Sequence, residues 1–284
     1  MSDQTLTRRP TFGPGPLHPD DIPEVKPRRK LGLPLFYCGI VTFLLIPIVA
    51  MIVYSFNVPT RNAITPVWQG FTLDAYLNLF AVQGIAEAFF TSVAIAAASG
   101  LVSVLIGLPM ALALSRYRFR GKGVLNSMIF LDISAPSIVV GSSALAFFLS
   151  LNFTMGWTTI LIVHVAFNIA YVVTTLRARL SGMGQNLEQA AGDLGASPLV
   201  GFFTVTLPLV APGIVAAFLL AFAMSIDDYV ITSFVNGSTE TFPLYAYGFT
   251  KKGMAPQVLC FGTIVFVVAV CLAFLNGLLN RRRP

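Results

Sequence analysis

The sequence predicts an all-α integral membrane protein, a bundle of about six transmembrane helices. Composition, the length of its apolar runs and the position of its charges predict this fold. Apolar residues make up 56% of the 284 residues, charged residues only 11%, and the mean hydropathy is +0.79. A soluble domain would carry about a quarter charged residues. This chain therefore lacks the polar surface that water requires.

Six apolar runs are candidate transmembrane helices. Each is near or above the roughly 20 residues that a helix needs to cross the hydrocarbon core. In chain order they cover residues 33–56, 86–114, 124–150, 158–177, 208–228 and 257–279. Prolines, at which helices kink, lie in or beside these runs at Pro47, Pro109, Pro136, Pro208 and Pro212. Residues 31–284 are therefore predicted to form a single membrane domain.

The segment before the first run is a polar tail. Residues 1–30 are rich in proline and charge, which predicts a disordered cytoplasmic tail rather than a cleavable signal peptide. All but three of the 18 Lys and Arg residues lie in this tail, between runs two and three, after run four or at the C-terminus. The exceptions are Arg61, Lys251 and Lys252. The positive-inside rule then predicts that both termini are cytoplasmic.

Other classes of site are not indicated by the sequence. The net charge of +6 does not predict nucleic-acid binding, because the basic residues flank apolar runs and do not alternate with aromatic residues. The cysteines Cys38, Cys260 and Cys271 lie within apolar runs without paired spacing, which predicts packing rather than a disulfide or a metal site. We therefore expect no cofactor and no metal in this chain.

The most informative loop lies near residues 185–208, QNLEQAAGDLGASPLVGFFTVTLP. Its first part predicts a short helix with one apolar face and with Glu188 in the first turn, where the helix dipole favours an acid. Gly195 is a predicted helix stop, and Ser197-Pro198 restarts a helix as cap and first residue. A helix, a sharp turn and a second helix on the cytoplasmic side would suit insertion into a groove of another protein.

This loop resembles the EAA loop of permease subunits of binding-protein-dependent ABC importers. The family pattern is Glu-Ala-Ala, three residues, Gly, nine residues, an aliphatic residue, one residue and Leu-Pro. The matching residues here are Gln189, Ala190, Ala191, Gly195, Val205, Leu207 and Pro208. Gln189 departs from the usual Glu, although Glu188 stands beside it. The resemblance implies the type I importer permease architecture and an ATPase-coupling role for Glu188 and the residues of this pattern.

Within that family the chain looks most like the second permease of spermidine/putrescine importers. The segments that carry this likeness are 164–171 (HVAFNIAY), 225–237 (SIDDYVITSFVNG), 241–243 (TFP) and 253–256 (GMAP). Two positions depart from what the family usually has: Ser137 stands where an acid is common, and Leu259 where Asn is common. The resemblance implies a transport subunit, not an enzyme, whose path takes a small organic cation such as a polyamine.

The resemblance also implies an assembly in the bacterial inner membrane. This chain and a second permease would form a heterodimer, an extracytoplasmic solute-binding protein would deliver the substrate, and two ATPase subunits would grip the loop helix. The chain has no Gly-x-x-x-x-Gly-Lys-Ser/Thr phosphate loop, so ATP and Mg²⁺ would be bound by those separate subunits.

Ionisable side chains inside apolar segments are costly and are candidates for function. Here they are Asp132, His164, Asp227 and Asp228, with Tyr229 next to the last two. Acids without matching bases favour a cation, and Tyr229 can add a cation–π contact. Each also has a structural interpretation: a solvated helix end for the acid pair, and interhelical hydrogen bonding for His164 and Asp132.

Other functions stay open on the sequence alone. An importer of the same family could carry ferric iron, an amino acid or an oxyanion, although the acids disfavour an oxyanion. A secondary carrier is also conceivable, but no convincing inverted repeat supports it. A membrane-embedded enzyme would have to use His164 and Asp132, and the chain contains neither an HExxH nor a GxSxG motif.

Overall fold

The computed structural model describes residues 32–60, 67–184, 186–252 and 255–280. Within these ranges the regular structure is helical, apart from one antiparallel bridge between Asn57 and Phe71. In chain order the helices are α1 (Gly32–Tyr54), α2 (Asp74–Leu77), α3 (Ile85–Arg116), α4 (Lys122–Ser134), α5 (Ser137–Ser150), α6 (Trp157–Ser181), α7 (Asn186–Asp193), α8 (Pro198–Gly201), α9 (Leu207–Ile226), α10 (Val230–Val235), α11 (Phe242–Lys252) and α12 (Pro256–Asn280). The predicted tail, 1–30, lies outside the described residues.

The chain divides into two compact units, one ending at Ala50 and the other beginning at Met51. Helix α1 supplies the described residues of the first unit and continues to Tyr54 through Pro47. This agrees with the first predicted span, 33–56. All contacts described below lie within the second unit.

The long helices coincide with the predicted spans. Among the described residues, four stretches are long and apolar enough to cross a membrane: Pro34–Tyr54, Ile85–Arg116, Trp157–Ser181 and Pro198–Ile226. Helices α4 and α5 add a fifth span if they are counted together. Helix α12 coincides with the sixth predicted span, 257–279, and its described apolar part is Pro256–Val267. The predicted number of about six is therefore reached when the bent pair and α12 each count as a span.

The third predicted span, 124–150, consists of two helices, because α4 and α5 meet at 108°. Pro136 breaks the helix, since proline has no N–H to donate and its ring clashes with the carbonyl one turn back. Ala135, the residue before it, accordingly takes an extended conformation, with φ −71° and ψ +131°. The carbonyl of Pro136 then accepts the N–H of Val139 at 2.9 Å, which starts α5.

Helices α3, α6 and α9 pack together at the centre of the second unit. Their shared core includes Ala111, Leu114 and Leu176, which are all buried. Gly107 lets α3 approach α6 closely, because a Cβ atom there would lie 2.6 Å from Cγ1 of Val172. Small residues at helix contacts are typical of membrane bundles, where packing replaces the hydrophobic driving force. The two polar sites described next are attached to these three helices.

The short helix α10 packs beside the start of α6. Ile231 and Val235 of α10 are buried in one cluster with Ile160 of α6. The Thr159 hydroxyl donates to the Val235 carbonyl at 2.7 Å and accepts the N–H of Gly156 at 2.8 Å. These contacts fix α10, which directly follows the segment that carries Asp227 and Asp228.

Candidate functional site

The loop between α6 and α9 has the geometry that its sequence predicts. Helix α7 ends at Asp193, and Gly195, two residues later, has a φ of +86°, in the left-handed region that glycine favours. The N–H of Ala196 donates to the carbonyl of Ala191 at 3.0 Å, and that of Gly195 donates to Gly192 at 2.9 Å. This pair of bonds is the Schellman ending, so the backbone of the helix end is satisfied without a partner protein.

The second helix of the loop starts where the cap was predicted. The Ser197 Oγ accepts the N–H of Val200 at 3.4 Å, and Pro198 is the first residue of α8. A proline suits this position because its missing N–H would have no partner in a first helical turn anyway. The turn between α7 and α8 is therefore determined locally.

A π-helical turn at Phe202–Thr206 joins α8 to α9. The N–H of Leu207 reaches back five residues to the carbonyl of Phe202. Pro208, the next residue, has no N–H and interrupts the regular hydrogen-bond ladder at this point. Such single π-turns are often found at functional sites in helices.

The surface of α7 is open. None of its residues is buried, Gln189 and Ala190 are exposed, and Ala191 is half-buried. Leu187 is 56% exposed, and Leu194, just beyond the helix, is 90% exposed. The apolar face predicted for this helix is therefore present but uncovered by the described part of the chain.

Glu188 points in the opposite direction, towards the membrane helices. Its Oε1 accepts from Nη2 of Arg116 at 3.1 Å and from the hydroxyl of Thr206 at 3.1 Å. Arg116 is the last residue of α3, and its Nη1 also donates to the carbonyl of Met183 at 3.3 Å. Sequence reasoning missed Arg116 and Thr206, because no sequence spacing links them to Glu188. We call Arg116, Glu188 and Thr206 the α7 anchor.

A cleft of about 330 Å³ lies beside the α7 anchor. Its lining includes Arg116, Glu188, Ser197, Phe202 and Thr206. The salt bridge is partly shielded from solvent, since the Arg116 side chain is 12% exposed and that of Glu188 31% exposed. Screening by salt is weaker for such a pair than for one on an open surface.

His164 is the centre of the second polar site, where α6 meets the α9–α10 segment. Its side chain is 3% exposed. Nδ1 lies 2.6 Å from the Ser225 hydroxyl, and Nε2 lies 3.0 Å from the Thr232 hydroxyl and 3.4 Å from Oδ2 of Asp228. Both ring nitrogens therefore have partners, as burial of an imidazole requires. We call His164, Ser225, Asp228 and Thr232 the His164 cluster.

The adjacent acids Asp227 and Asp228 have different surroundings. Asp228 is drawn into the His164 cluster, where its Oδ2 accepts the N–H and the hydroxyl of Thr232, each at 2.8 Å. The N–H of Ile231 donates to its Oδ1 at 3.4 Å. Asp227 is exposed. Of the two, Asp227 is the acid whose side chain is accessible to a ligand.

Tyr229 belongs to an aromatic pair that the sequence did not predict. Its ring lies 4.5 Å from the ring of Tyr247 on α11, with 41° between the planes. Tyr229 is half-buried, and Tyr247 is 44% exposed. Two aromatic faces near an exposed acid form an arrangement that can attract a cation.

Asp132 and Asn168 lie apart from the contacts of the His164 cluster. Asp132 is in the last turn of α4, half-buried, immediately before the break at Pro136. Asn168 is 1% exposed, and its Nδ2 donates to the Ala221 carbonyl of α9 at 3.3 Å. Its Oδ1 has no hydrogen-bond partner among the described residues. The five predicted path residues are thus divided among separate environments.

A family model described as "Binding-protein-dependent transport system inner membrane component" matches residues 103–283. This range includes the loop between α6 and α9 and the whole His164 cluster. The match confirms the resemblance drawn from Gln189, Ala190, Ala191, Gly195, Leu207 and Pro208.

Curated permeases match over most of the chain. The spermidine/putrescine transport system permease protein PotC of Haemophilus influenzae is 36% identical over 248 residues, which cover 87% of this chain and 95% of that protein. PotC of Escherichia coli is 37% identical over 247 residues, with 87% and 92% covered. The putrescine transport system permease protein PotI of Escherichia coli is 33% identical over 249 residues, with 85% and 88% covered.

Solved structures of ABC transporters share the fold. A bacterial ABC transporter involved in the import of alginate aligns with a TM-score of 0.61 at 18% identity, covering 89% of this chain and 96% of that chain. The MetNI methionine ABC transporter, in an inward-facing form, aligns with a TM-score of 0.58 at 17% identity, covering 68% and 92%. With this fold, the family match and relatives above 30% identity, the chain belongs to the inner-membrane components of binding-protein-dependent transport systems.

Proposed function

We propose that this chain forms the translocation path of an ATP-driven importer for polyamines such as spermidine and putrescine. The observation that carries the proposal is the 33–37% identity, over 85–87% of the chain, to permeases named for these amines. The exposed carboxylate of Asp227 supports it, because ammonium groups bind carboxylates through charge-assisted hydrogen bonds. Tyr229 and Tyr247 add aromatic faces that suit a cation.

The proposal includes the partners of the chain. A second permease encloses the path with this chain, a solute-binding protein delivers the amine, and two ATPase subunits bind and hydrolyse ATP with Mg²⁺. The ATPase contact is assigned to α7, because Leu187 and Leu194 expose apolar surface at the end of the bundle. Apolar patches on an otherwise polar loop are typical of protein interfaces.

The direct test is uptake by the complete importer in cells that lack other polyamine importers. We expect labelled putrescine to accumulate, unlabelled spermidine to compete with it, and an excess of methionine or alginate to leave uptake unchanged. Accumulation must depend on an intact ATPase subunit, because this chain supplies only the path. No uptake of either amine by an importer that is fully assembled would contradict the proposal.

We further propose that both termini are cytoplasmic and that α7 faces the cytoplasm. Two basic residues support this orientation. Arg116 contacts Glu188 of the loop, and Arg179 donates to the Leu209 carbonyl at 3.2 Å. Both bases therefore lie at the α7 end of the bundle. Basic residues concentrate on the cytoplasmic side of inner-membrane proteins.

Cysteine labelling in intact cells tests this orientation. In a background without Cys38, Cys260 and Cys271, single cysteines at Asn78 and Ser238 should react with an impermeant thiol reagent. Cysteines at Lys122 and Asp193 should react only after the cells are opened. Asn78, Ser238 and Asp193 are exposed, and Lys122 is half-buried at the first residue of α4. Labelling of Lys122→Cys in sealed cells would reverse the assignment.

A further inference from the structure

We infer that Arg116 and Thr206 are positioning residues that hold α7 through Glu188, and that this link carries the movement of α7 into α3 and α9. The inference rests on the proposed function, in which an ATPase subunit moves α7. It assigns a role to two residues outside the loop pattern. It also separates Glu188, which faces the membrane helices, from its exposed neighbour Gln189.

The geometry joins three parts of the chain at the Glu188 carboxylate. Arg116 ends α3, Glu188 lies in the first turn of α7, and Thr206 ends the π-helical turn before α9. Both bonds to Glu188 are 3.1 Å long. Nη1 of Arg116 also donates to the carbonyl of Met183, which follows α6. A displacement of α7 therefore acts on the ends of α3 and α9 together.

The rest of α7 offers little other attachment to the membrane helices. The helix has no buried residue, and its largest apolar side chain, Leu187, is 56% exposed. Its C-terminal backbone is satisfied within the loop by the Gly195 ending. Without the α7 anchor, the orientation of α7 would depend mainly on its two chain connections. Displacement of such a helix by the ATPase subunit would rotate the helix instead of moving the bundle.

Arginine has a specific reason to occupy position 116. Its planar guanidinium presents separate N–H groups that here reach Glu188 and the Met183 carbonyl together, which the single ammonium of lysine does less well. A cation at the last residue of α3 is also favoured by the negative end of the helix dipole. The residue type thus fits a geometric role in addition to marking the cytoplasmic side.

The test uses the complete importer in proteoliposomes with its solute-binding protein, and it measures putrescine transported per ATP hydrolysed. We expect Glu188→Ala and Arg116→Ala each to lower this ratio about tenfold. The double variant should lower it no further, because residues acting as one link are not additive. Co-purification of the ATPase subunit should stay normal in all three. The matched controls Asp74→Ala and Arg118→Ala, at exposed positions outside α7, should keep the wild-type ratio.

Three results would overturn the link. The first is a wild-type ratio of putrescine transported to ATP hydrolysed in both single variants. The second is a double variant whose fold decrease in this ratio equals the product of the two single decreases. The third is loss of the ATPase subunit from Glu188→Ala alone, which would make Glu188 a direct contact with that subunit. If the alanine variants fold poorly, Glu188→Gln and Arg116→Lys replace them, and wild-type ratios in both of these equally reject the inference.

A readout that needs no transport separates this inference from the proposed function. Release of α7 should accelerate amide hydrogen exchange in residues 186–206 of Glu188→Ala, relative to the control Asp74→Ala, because local opening is faster where tertiary contacts are lost. If the wild-type importer moves no putrescine and Glu188→Ala still shows this acceleration, only the polyamine proposal is overturned. Unchanged exchange would overturn the link, whatever the substrate.

Discussion

Asp227→Asn is expected to lower uptake of putrescine and spermidine about tenfold, the factor that corresponds to roughly 1.4 kcal/mol. The substitution keeps the shape of the side chain and removes the charge that would bind an ammonium group. Asp227 is exposed at the end of α9, so the change should not disturb the fold. The measurement is the initial rate of uptake of the labelled amines, at matched expression of the assembled importer.

Asp228→Asn and Asp74→Asn are the comparisons for this variant. Asp228 is bound by Thr232, and an amide oxygen can still accept those bonds, so uptake should fall less than in Asp227→Asn. Asp74 is an exposed acid on α2, and its replacement should have no effect. Equal uptake by the wild type, both single variants of the pair and their double variant would show that these acids do not select the cation.

His164→Ala should destabilise the chain by about 3 kcal/mol, because it leaves the buried hydroxyls of Ser225 and Thr232 without their imidazole partner and opens a cavity. For a chain of this size, such a loss corresponds to a decrease of about 6 °C or more in Tm. The measurement is thermal unfolding of the detergent-purified assembly. Uptake per folded importer should also fall, since Asp228 loses one of the contacts that fix the segment beside Asp227.

Two variants show whether this effect belongs to the imidazole. His164→Gln retains a donor and an acceptor and should recover part of the stability. Ser233→Ala on α10 removes an exposed hydroxyl that donates only within its own helix, to the Val230 carbonyl, and should cost at most about 0.5 kcal/mol. A Tm for His164→Ala equal to that of Ser233→Ala would mean that the cluster contributes no stability.

Local features of the fold were predicted well because their causes are local. The positions of the long helices follow from runs of apolar residues, whose transfer into lipid depends on composition alone. The ending of α7 before Gly195 and the restart at Ser197 follow from backbone conformations that only these residue types favour. The same loop residues also indicated the family. The break at Pro136 was foreseen as a kink, but its angle of 108° was not.

The candidate sites were predicted only in part because they depend on side chains that meet across the fold. The sequence by itself determined the membrane class, the helix positions, the family and the presence of costly acids in apolar segments. Only the tertiary structure decided that Glu188 binds Arg116, 72 positions away, and that Asp228 is engaged by His164 while Asp227 is exposed. The physical reason is that hydropathy and capping act between near neighbours in the chain. A hydrogen bond between helices depends instead on their relative rotation and depth, which the packing of α3, α6 and α9 sets.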